Sequence, residues 1–401
     1  MNRRNFSNVD GMSLRGVKIC FVGLYNEKNL GDPIIGDCVE WLYARALTPE
    51  AIHAKRLTVD CLNYNPTIVT RITNSLRRLA RKPLYHLFHS IISREYTKYY
   101  LKEIKGSQLI VVVGGGLIKY TTQYFGFGLQ GLLKAAAKEN INVVFNAVGV
   151  EGYDKNNSRC KKLKKILHLP ALKKITTRDD IDTLIYNYMG GSPNIPCNLV
   201  CDPAVWASEV YGITRKLKSN VMGIGVCRED MLQAHGYGIS SSAFFDFYVT
   251  LVKTLAKEDH QVELFTNGLP EDNKTAIKIK QTLGEAGLEI DCRIPTSSKE
   301  LVEIVSNYKC VVAARLHACI IAYSLEIPVI GLVWNDKLLF FGKNIGCEHY
   351  FIKPHDLSVD FVRAQLEDAL NHPYDQTVRE RYRASIEEDI CSSVKNLLIE
   401  V

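Results

Sequence analysis

The sequence lacks several features that mark specialised classes of protein. It contains no run of about 18 predominantly apolar residues, which argues against a membrane-spanning helix. Its first apolar stretch, residues 19–25, is followed directly by charge and predicts a short strand rather than a secretion signal. No internal repeat or low-complexity tract is visible. With 46% hydrophobic and 23% charged residues, the chain has the composition of an ordinary folded globule.

Paired cysteines and metal-binding motifs are also missing. None of the 12 cysteines forms a C-x-x-C pair, and several, such as Cys20, Cys310 and Cys319, lie inside apolar runs. A reduced cysteine in such a run behaves as a small hydrophobic residue, which favours a reducing cytosol. No H-E-x-x-H motif or cluster of Cys and His occurs. We therefore predict a cytoplasmic protein with no metal and no cofactor.

The positive charge surplus is mild but uneven. Fifty Lys and Arg against 43 Asp and Glu give a formal net charge of +7. Residues 71–105 hold nine Lys or Arg and two acids, and residues 159–174 hold seven and no acid. Each segment suits a solvated helix face, and for 71–105 a basic amphipathic helix on an anionic membrane or an acidic substrate is the alternative. Because 71–105 has no platform of stacking aromatic residues, we predict no nucleic-acid partner.

Short runs rich in Val and Ile alternate with longer helical patterns along the whole chain. Continuous apolar strands followed by helices predict an α/β fold with buried parallel sheets and right-handed crossovers. The predicted strands are residues 18–25, 108–116, 141–149, 173–179, 220–227, 261–267, 310–315 and 327–333. The predicted helices are residues 34–47, 126–140, 243–259, 272–287, 299–308 and 316–326.

A polar, basic stretch at 207–220 separates the first set of strands from the second. It predicts two doubly wound, Rossmann-like domains that face a cleft. The N-terminal domain is placed at residues 1–206, with a basic insertion at 61–105, and the C-terminal domain at 207–374. Residues 375–401 read as a final helix that packs back on the first domain.

The segment GLYNEKNLGD, residues 23–32, closes one strand and opens a helix. Its glycines admit a ligand to the backbone, and the first turn of the helix offers unpaired N–H groups. Asn29, Gly31 and Asp32 are therefore candidate binding residues. Asp32 is equally well suited to be a plain N-cap of the helix.

Three consecutive glycines, Gly114, Gly115 and Gly116, follow the apolar run LIVVV. They predict a glycine-lined mouth of the cleft or, alternatively, a tight turn at which the backbone passes close to a neighbouring loop. Arg178 stands at the end of the next strand but one. It is a candidate anion contact, with the two acids that follow it as alternative partners.

The second domain carries the strongest group of charged residues. Arg315, Leu316 and His317 lie directly between an apolar strand and a helix, and Lys337 follows the next strand. Residues two apart in an extended segment point to one side, and the following helix contributes its positive end. Arg228 adds a cation at the tip of another strand, although two acids follow it. The group predicts a site for a phosphate or carboxylate, with a histidine as proton donor.

Taken together, these segments resemble the polysaccharide pyruvyl transferases. The resemblance runs from about residue 18 to about residue 350 and is strongest around the Arg-Leu-His helix. Members of that family have a fold similar to the two-domain glycosyltransferase type called GT-B. They transfer the enolpyruvyl carbons of phosphoenolpyruvate onto two hydroxyls of a sugar, which releases phosphate and leaves a cyclic pyruvate ketal. The matching segments are GLYNEKNLGD, VVVGGG, TTRDD with CDPAVW after it, GIGVCRED and ARLHACIIAYSLEIPVIGLVWNDKLLFFGKNIG.

The resemblance implies a role for each cation. It makes His317 the catalytic acid, and it puts Arg315 and Lys337, in a donor-binding second domain, on the phosphate or carboxylate of phosphoenolpyruvate. Arg178 and Arg228 become further anion contacts. No metal is required for this chemistry as written.

The resemblance also implies where the acceptor binds. The glycines at 114–116 and the segment 29–32 would line the acceptor half of the cleft, in the first domain. The acceptor would be a sugar of a cell-surface glycan or its lipid-linked oligosaccharide precursor. An enzyme of this kind would act in the cytoplasm or peripherally at the inner membrane face.

Two other functions remain open on the sequence alone. The first is a GT-B-type glycosyltransferase that uses a nucleotide sugar, with the Arg and Lys on a diphosphate. The second is a non-catalytic protein that binds glycans or assembles a polysaccharide-producing complex. The first would need a base-stacking pocket and a ribose-binding carboxylate, neither of which can be assigned in the sequence. The group of cations around a histidine argues against the second.

Overall fold

The computed structural model of the chain describes residues 16–25, 28–47, 52–59, 83–121, 125–217 and 219–399. These residues form two compact units. Unit 1 comprises the described residues of Met1–Asn26, Ile35–Cys201 and Ser385–Val401. Unit 2 comprises those of Glu27–Ile34 and Asp202–Ala384.

Unit 1 is built on a six-stranded sheet with the strand order β2-β1-β3-β5-β7-β8, in which every neighbouring pair is parallel. Strands β4 and β6 form a separate parallel pair. All five residues of β3 are buried, as its unbroken apolar run predicts. The strands are β1 Val17–Gly23, β2 Ile52–Thr58, β3 Leu109–Val113, β4 Ile118–Lys119, β5 Asn142–Val148, β6 Val150–Glu151, β7 Leu172–Thr177 and β8 Cys197–Leu199.

Two helices of unit 1 pack closely on each other, α2 and α3. The apolar side chains of Ile92, Tyr96 and Tyr100 on α2 are buried in the core of unit 1. Gly131 on α3 permits the close approach, because a Cβ atom there would overlap Tyr96. The helices that begin in this part of the chain are α1 Gly31–Leu47, α2 Pro83–Glu103, α3 Gly126–Lys138 and α4 Ser158–Ile166.

Unit 2 repeats the plan with the strand order β11-β10-β9-β12-β13-β14, again parallel throughout. Helices follow β9, β10, β12 and β13, as in a doubly wound fold. The strands are β9 Val221–Gly225, β10 Gln261–Phe265, β11 Asp291–Arg293, β12 Tyr308–Ala313, β13 Val329–Leu332 and β14 Phe351–Ile352. The helices are α5 Ala207–Tyr211, α6 Met231–Ala234, α7 Ser241–Lys257, α8 Pro270–Glu285, α9 Ser298–Ser306, α10 Leu316–Ser324, α11 Asp336–Asn344, α12 Val359–Asn371 and α13 Gln376–Val394.

The predicted fold class, α/β with two Rossmann-like parallel sheets, is confirmed. Each predicted strand and helix overlaps an observed element. The prediction omitted β2, an edge strand with the sequence IHAKRLT, and five short strands of two or three residues. Of the basic insertion at 61–105, residues 61–82 lie outside the described residues, and α2 forms most of the remainder.

The division into units differs from the predicted boundary at 206/207. Asp202 already belongs to unit 2, because it caps the short 3-10 turn Pro203–Trp206, which packs against α10. Residues 27–34 also belong to unit 2, although they follow β1 of unit 1 in the chain.

Helix α13 contributes to both units in turn. In unit 2, Arg383 lies 3.8 Å above the ring of Trp206 and pairs with Glu209. In unit 1, Asp389 forms a buried ion pair with Lys174 of β7, with 2.5 Å between Nζ and Oδ1. The predicted domain at 207–374 therefore stops short of the residues that pack with unit 2, which continue to residue 384.

Candidate functional site

The carboxyl ends of β9, β10, β12 and β13 meet along one edge of the unit 2 sheet, which we call the carboxyl edge. Because all four strands are parallel, the loops that follow them converge there. Three of the helices that start from these loops, α8, α10 and α11, direct their N-terminal N–H groups to this edge. Such an edge suits a negatively charged ligand.

His317 stands in the first turn of α10 and is buried, with 5% of its surface exposed. Its Nε2 lies 3.8 Å from Oδ2 of Asp202, whose side chain is 2% exposed. The other oxygen of Asp202 accepts a hydrogen bond of 2.9 Å from the backbone N–H of Ala204, which fixes the carboxylate. A buried imidazole that faces a fixed carboxylate is an arrangement suited to proton transfer.

Gly31, the first residue of α1, packs directly against the ring of His317. A Cβ atom at this position would overlap the imidazole at Nδ1 and Cγ, so only glycine leaves room for it. The segment is held in unit 2 by hydrogen bonds of 3.0 Å from Leu30 N to Asn267 O and of 3.4 Å from Ser298 Oγ to Leu30 O.

This placement corrects the sequence prediction for residues 29–32. Asn29, Gly31 and Asp32 were assigned to the first domain with the glycines at 114–116, but they pack with unit 2 beside His317. Asp32 is not the N-cap, since it lies in the first turn of α1 and its own N–H donates to the carbonyl of Asn29. The Nδ2 of Asn29 donates to Oδ2 of Asp32 over 3.1 Å.

Arg315 precedes His317 and is clamped by Asp272 of α8. Its Nε and Nη2 donate hydrogen bonds of 2.8 and 2.6 Å to the two carboxylate oxygens of Asp272, which is completely buried. Burial disfavours the charge of the guanidinium, but the hydrogen bonds and charge of Asp272 outweigh it and raise the pKa of Arg315. The fork of Arg315 is thus occupied by a carboxylate. Within the described part of the chain Nη1 has no hydrogen-bond partner.

The remaining predicted residues of unit 2 lie along the same carboxyl edge. Arg228 follows β9 and pairs with Asp230 over 3.3 Å, as its acidic neighbours suggested, while its backbone N–H donates to Asp272. Leu316 and Lys337 are both half-buried, in the first turns of α10 and α11. The structure therefore brings Arg228, Arg315, His317 and Lys337 to one edge of one sheet.

Three asparagine side chains close to this edge have buried polar atoms with no hydrogen-bond partner among the described residues. They are Oδ1 of Asn29, Nδ2 of Asn267 and Oδ1 of Asn335. A buried polar atom left without a partner costs about 1–3 kcal/mol. Their common location around the His317 region is therefore consistent with groups that bind a polar ligand.

Sequence reasoning missed four residues of this edge, namely Asp202, Asp272, Trp334 and His235. Trp334 donates from Nε1 to the carbonyl of Ala314 over 2.6 Å, and its ring lies 4.7 Å from that of His235. Asp202 was visible in the sequence as part of an Asp-Pro turn. No local pattern marks Asp272, because it stands in an ordinary acidic first turn of a helix.

The corresponding edge of the unit 1 sheet, at the carboxyl ends of its strands, is built differently. Gly114 and Gly115 have φ angles of 24° and 73° and are buried, so they serve a tight turn rather than an open surface. Gly115 accepts hydrogen bonds at its carbonyl from the N–H groups of Leu117 and Gly149. Of the three glycines only Gly116 is partly exposed. The alternative that the sequence left open, a turn in close contact with a neighbouring loop, describes Gly114 and Gly115.

Asp179 holds the neighbouring segment at residues 149–150 in place. Its Oδ1 accepts hydrogen bonds of 2.7 Å from Val150 N, 2.9 Å from Thr177 Oγ1 and 2.9 Å from Asp180 N. Arg178 lies directly beside it and is 6% exposed. The contact of Arg178 with an anionic ligand stays a prediction.

Two further findings concern the described residues as a whole. Among them, no group of three or more His, Cys, Asp and Glu side chains is arranged to hold a metal ion. None of the helices formed by these residues has the length and apolarity to cross a membrane.

The sequence was compared with models of known protein families. The model described as polysaccharide pyruvyl transferase matches residues 53–336. That match covers more than half of the chain and includes His317, Arg315 and the partners Asp202 and Asp272. No curated protein matches the sequence.

Solved structures of similar fold extend over almost the whole chain. The UDP-GlcNAc 2-epimerase of Methanocaldococcus jannaschii has a TM-score of 0.56 at 14% identity, covering 94% of this chain and 98% of its own. A putative UDP-N-acetylglucosamine 2-epimerase of Listeria monocytogenes has a TM-score of 0.57 at 9% identity, covering 96% and 98%. The UDP-GlcNAc 2-epimerase of Neisseria meningitidis bound to UDP-GlcNAc has a TM-score of 0.54 at 13% identity, covering 96% and 100%. At these identities the likeness shows the fold alone, which is GT-B-like.

Proposed function

Because the chain belongs to the polysaccharide pyruvyl transferase family, we propose that it moves the enolpyruvyl group of phosphoenolpyruvate onto a sugar of a cell-surface glycan or its precursor. The products are a pyruvate ketal and inorganic phosphate. The observation that carries the proposal is the buried His317, placed between the carboxylate of Asp202 and the N-terminus of α1.

His317 supplies the first proton in the proposed reaction. Protonation of the methylene carbon of phosphoenolpyruvate turns C3 into a methyl group and leaves an oxocarbenium-like centre at C2. A sugar hydroxyl attacks C2 and loses its proton, forming one C–O bond. The bond from C2 to the phosphate oxygen then breaks, and a second hydroxyl attacks C2 to close the ketal. One of the two hydroxyl protons restores His317 and the other leaves with the phosphate.

Asp202 acts on this step through His317 and is a positioning residue. Its carboxylate balances the charge of the imidazolium before the proton leaves, and the hydrogen bond from Ala204 keeps it in place. Gly31 packs against the ring at Nδ1 and Cγ. These two contacts restrict the orientation of the imidazole.

The cations of the carboxyl edge are proposed to bind the donor. Phosphoenolpyruvate carries close to three negative charges at neutral pH, and charge-assisted hydrogen bonds from several cations offset the loss of its hydration. Lys337 and the free Nη1 of Arg315 are the proposed contacts, with Arg228 after exchange of Asp230 for the ligand. Asn335 and Asn267 offer neutral polar atoms to the same ligand.

We further propose a sugar or lipid-linked oligosaccharide as acceptor and the cytoplasm as the place of action. The described cysteines are free thiols, which suits a reducing compartment.

Phosphate release tests the proposal directly. The purified protein is incubated with phosphoenolpyruvate and a series of nitrophenyl or lipid-linked sugars, and released phosphate is measured together with the mass of the product. We expect release that depends on the acceptor and a product heavier by one pyruvate ketal. His317→Ala is expected to lower the rate about 10²–10⁴-fold, the usual contribution of a general acid.

A second histidine provides the matched control. His355 is exposed and lies 3.2 Å from Asp356, so it resembles the His317 and Asp202 pair without its burial. His355→Ala should keep the full rate. Equal activity of the His317→Ala protein would remove the proposed mechanism, and absence of phosphate release with every acceptor would remove the proposed donor.

Donor choice is tested by ligand-dependent thermal stability. Phosphoenolpyruvate should raise the melting temperature, and UDP and GDP sugars should not. The reverse result would favour the nucleotide-sugar glycosyltransferase.

A further inference from the structure

A groove on unit 1 combines a basic rim with an apolar floor. It has a volume of about 470 Å³ and lies between α2, α3 and the turn at residues 169–170. The rim consists of four cations that the proposed reaction does not use. We call this feature the basic groove, with the rim residues Arg94, Lys98, Lys134 and Lys138 and the floor residues Leu101, Leu133, Leu169 and Pro170.

The rim is arranged as two like-charged pairs. Arg94 and Lys98 are four residues apart on α2, and Lys134 and Lys138 are four residues apart on α3. Like charges at this spacing lie on the same helix face and destabilise the helix. All four residues are exposed. Glu95 is the one acid among the described residues that bonds to the rim, and it pairs with Lys98 over 2.8 Å.

The charge of Lys134 also acts on a neighbouring lysine, Lys162. Partial burial, and then the charge of Lys134, lower the pKa of Lys162 on α4 to about 8. An anion at the rim would relieve this repulsion, so the groove has charge complementarity to a negative partner.

The apolar floor of the basic groove limits the kinds of anion that fit it. Leu101 and Leu169 pack on the core of unit 1 with one side and line the groove with the other. No aromatic residue lines the groove, so it offers no platform on which bases could stack. A ligand with a phosphate group next to a hydrocarbon chain matches both the rim and the floor.

We propose that the basic groove docks unit 1 on a membrane surface by holding the headgroup phosphate of an anionic phospholipid, with the upper part of the acyl chain against the leucines. Each Lys or Arg near an anionic membrane strengthens binding about fivefold. Four cations therefore suffice for reversible attachment that depends on salt.

Sedimentation with phospholipid vesicles tests this surface. The full chain is mixed with vesicles of phosphatidylcholine alone or with about one-third phosphatidylglycerol, at about 0.1 M salt, where surface charges still act over about 10 Å. We expect binding only to the anionic vesicles, with release at about 1 M salt. Binding to neither kind of vesicle would overturn the proposal.

Charge reversal locates the binding surface. Lys134→Glu/Lys138→Glu should weaken vesicle binding at least tenfold. The control is Lys253→Glu/Lys257→Glu on α7 of unit 2, which reverses the same number of charges at the same spacing and should change binding less than about threefold. An equal loss in both variants would show attraction by net charge and would overturn the groove as the site. Thermal melting of each variant checks folding, and Lys134→Gln/Lys138→Gln replaces a variant that melts early.

Two competitors separate the membrane from other anions. Glycerol phosphate at millimolar concentration should leave vesicle binding unchanged, whereas its full displacement of the protein would mean that the groove binds free phosphate. A single-stranded RNA should compete weakly, and tight RNA binding that Lys134→Glu/Lys138→Glu abolishes would replace the lipid by a nucleic acid. Leu169→Asn should weaken vesicle binding while leaving the four cations in place. No loss in that variant would overturn the role of the floor.

Discussion

A buried ion pair of unit 1 and a buried ion pair of unit 2 are placed differently. In unit 1, Lys174 of β7 and Asp389 of α13 are 9% and 5% exposed at the side chain and lie inside the packing of a helix on a sheet. In unit 2, Arg315 and Asp272 are 15% and 0% exposed and stand at the carboxyl edge beside His317. The first pair attaches a chain segment to its sheet, and the second lies at the edge that carries the candidate site.

The two units also differ in the hydrogen bonding at the carboxyl ends of their strands. In unit 1 the glycine turn and Asp179 satisfy backbone N–H groups within the protein. In unit 2 the buried atoms Asn29 Oδ1, Asn267 Nδ2 and Asn335 Oδ1 lack hydrogen-bond partners among the described residues, and in unit 1 Asn146 Oδ1 of β5 does so. The difference is therefore one of degree: unit 1 uses Asp179 to fix backbone N–H groups, and unit 2 leaves more asparagine side chains that can bind a ligand. The substitutions below test this difference, in order of their expected effect on the free energy of unfolding.

Removal of Lys174 should have the largest effect. Lys174→Ala leaves Asp389 buried without its cation, and such a loss costs about 3–5 kcal/mol. Burial already raises the pKa of Asp389 while Lys174 opposes it, so the lone carboxyl would become neutral at higher pH than its partnered form. Urea unfolding measures the change. The double variant Lys174→Met/Asp389→Leu should recover most of the stability, and failure to recover would mean that the pair is not a purely structural contact.

Arg315→Ala should lower the free energy of unfolding by a smaller amount, about 2–4 kcal/mol. Asp272 still accepts a hydrogen bond from the N–H of Arg228, and its charge is still stabilised by the positive N-terminal end of α8. Unlike the Lys174 variant, it should also raise the KM for phosphoenolpyruvate. Arg315→Lys keeps the charge without the fork and should recover only part of either effect. Unchanged KM in both variants would make this pair as structural as that of unit 1.

Asp179→Ala should lower the free energy of unfolding by about 1–3 kcal/mol, because three hydrogen-bond donors lose their shared buried acceptor. Asp182→Ala, at an exposed acid three residues away, should change the stability by less than about 0.5 kcal/mol. Thermal melting distinguishes the two. If both variants melt like the wild type, the hydrogen bonds of Asp179 do not hold this edge together in the way described.

Gly31→Ala should cost only about 1 kcal/mol of stability but should lower the rate of phosphate release about 100-fold, because the added methyl group forces His317 out of its position. Comparison of the melting curve with the rate separates these effects. A variant with the normal rate would show that the orientation of His317 does not depend on this contact.

The smallest effect concerns pH and the basic surface of unit 1. The pKa of Lys162 is about 8 in the folded protein, below its value in an unfolded chain. Between those two values the unfolded chain binds more protons, so stability rises as pH increases through 8. The melting temperature should therefore rise slightly from pH 7 to pH 9.5, and Lys162→Met should flatten this rise. A steeper rise in the variant would contradict the lowered pKa.

The sequence predicted the strands that form the centres of both sheets, because a strand buried on both faces is an unbroken apolar run. Strand β2 was not predicted because it lies at the edge of its sheet and carries cations. Lys55 pairs with Glu103, and Arg56 pairs with Asp37 and Glu40. Charges on an edge strand prevent pairing with other chains, but they also remove the apolar sequence pattern by which a strand is recognised.

Part of the candidate site was predictable for a similar reason. Arg315 and His317 are neighbours in the chain, and a strand followed by a helix fixes where they lie. Their partners Asp272, Asp202 and Gly31 come from distant segments. No local pattern reveals such pairings, since they depend on how the loops of separate strands converge. The assignment of residues 29–32 to the wrong unit has this cause.

The position of Gly31 also has a consequence in time. Residues 27–34 are synthesised well before His317, against which Gly31 packs. At ordinary translation rates the interval is on the order of tens of seconds. During that interval the segment has no histidine to contact, and the first part of the chain can fold while these eight residues wait. The contact of Gly31 with His317 therefore forms only after α10 has left the ribosome, and Lys337 of α11 joins the candidate site later still.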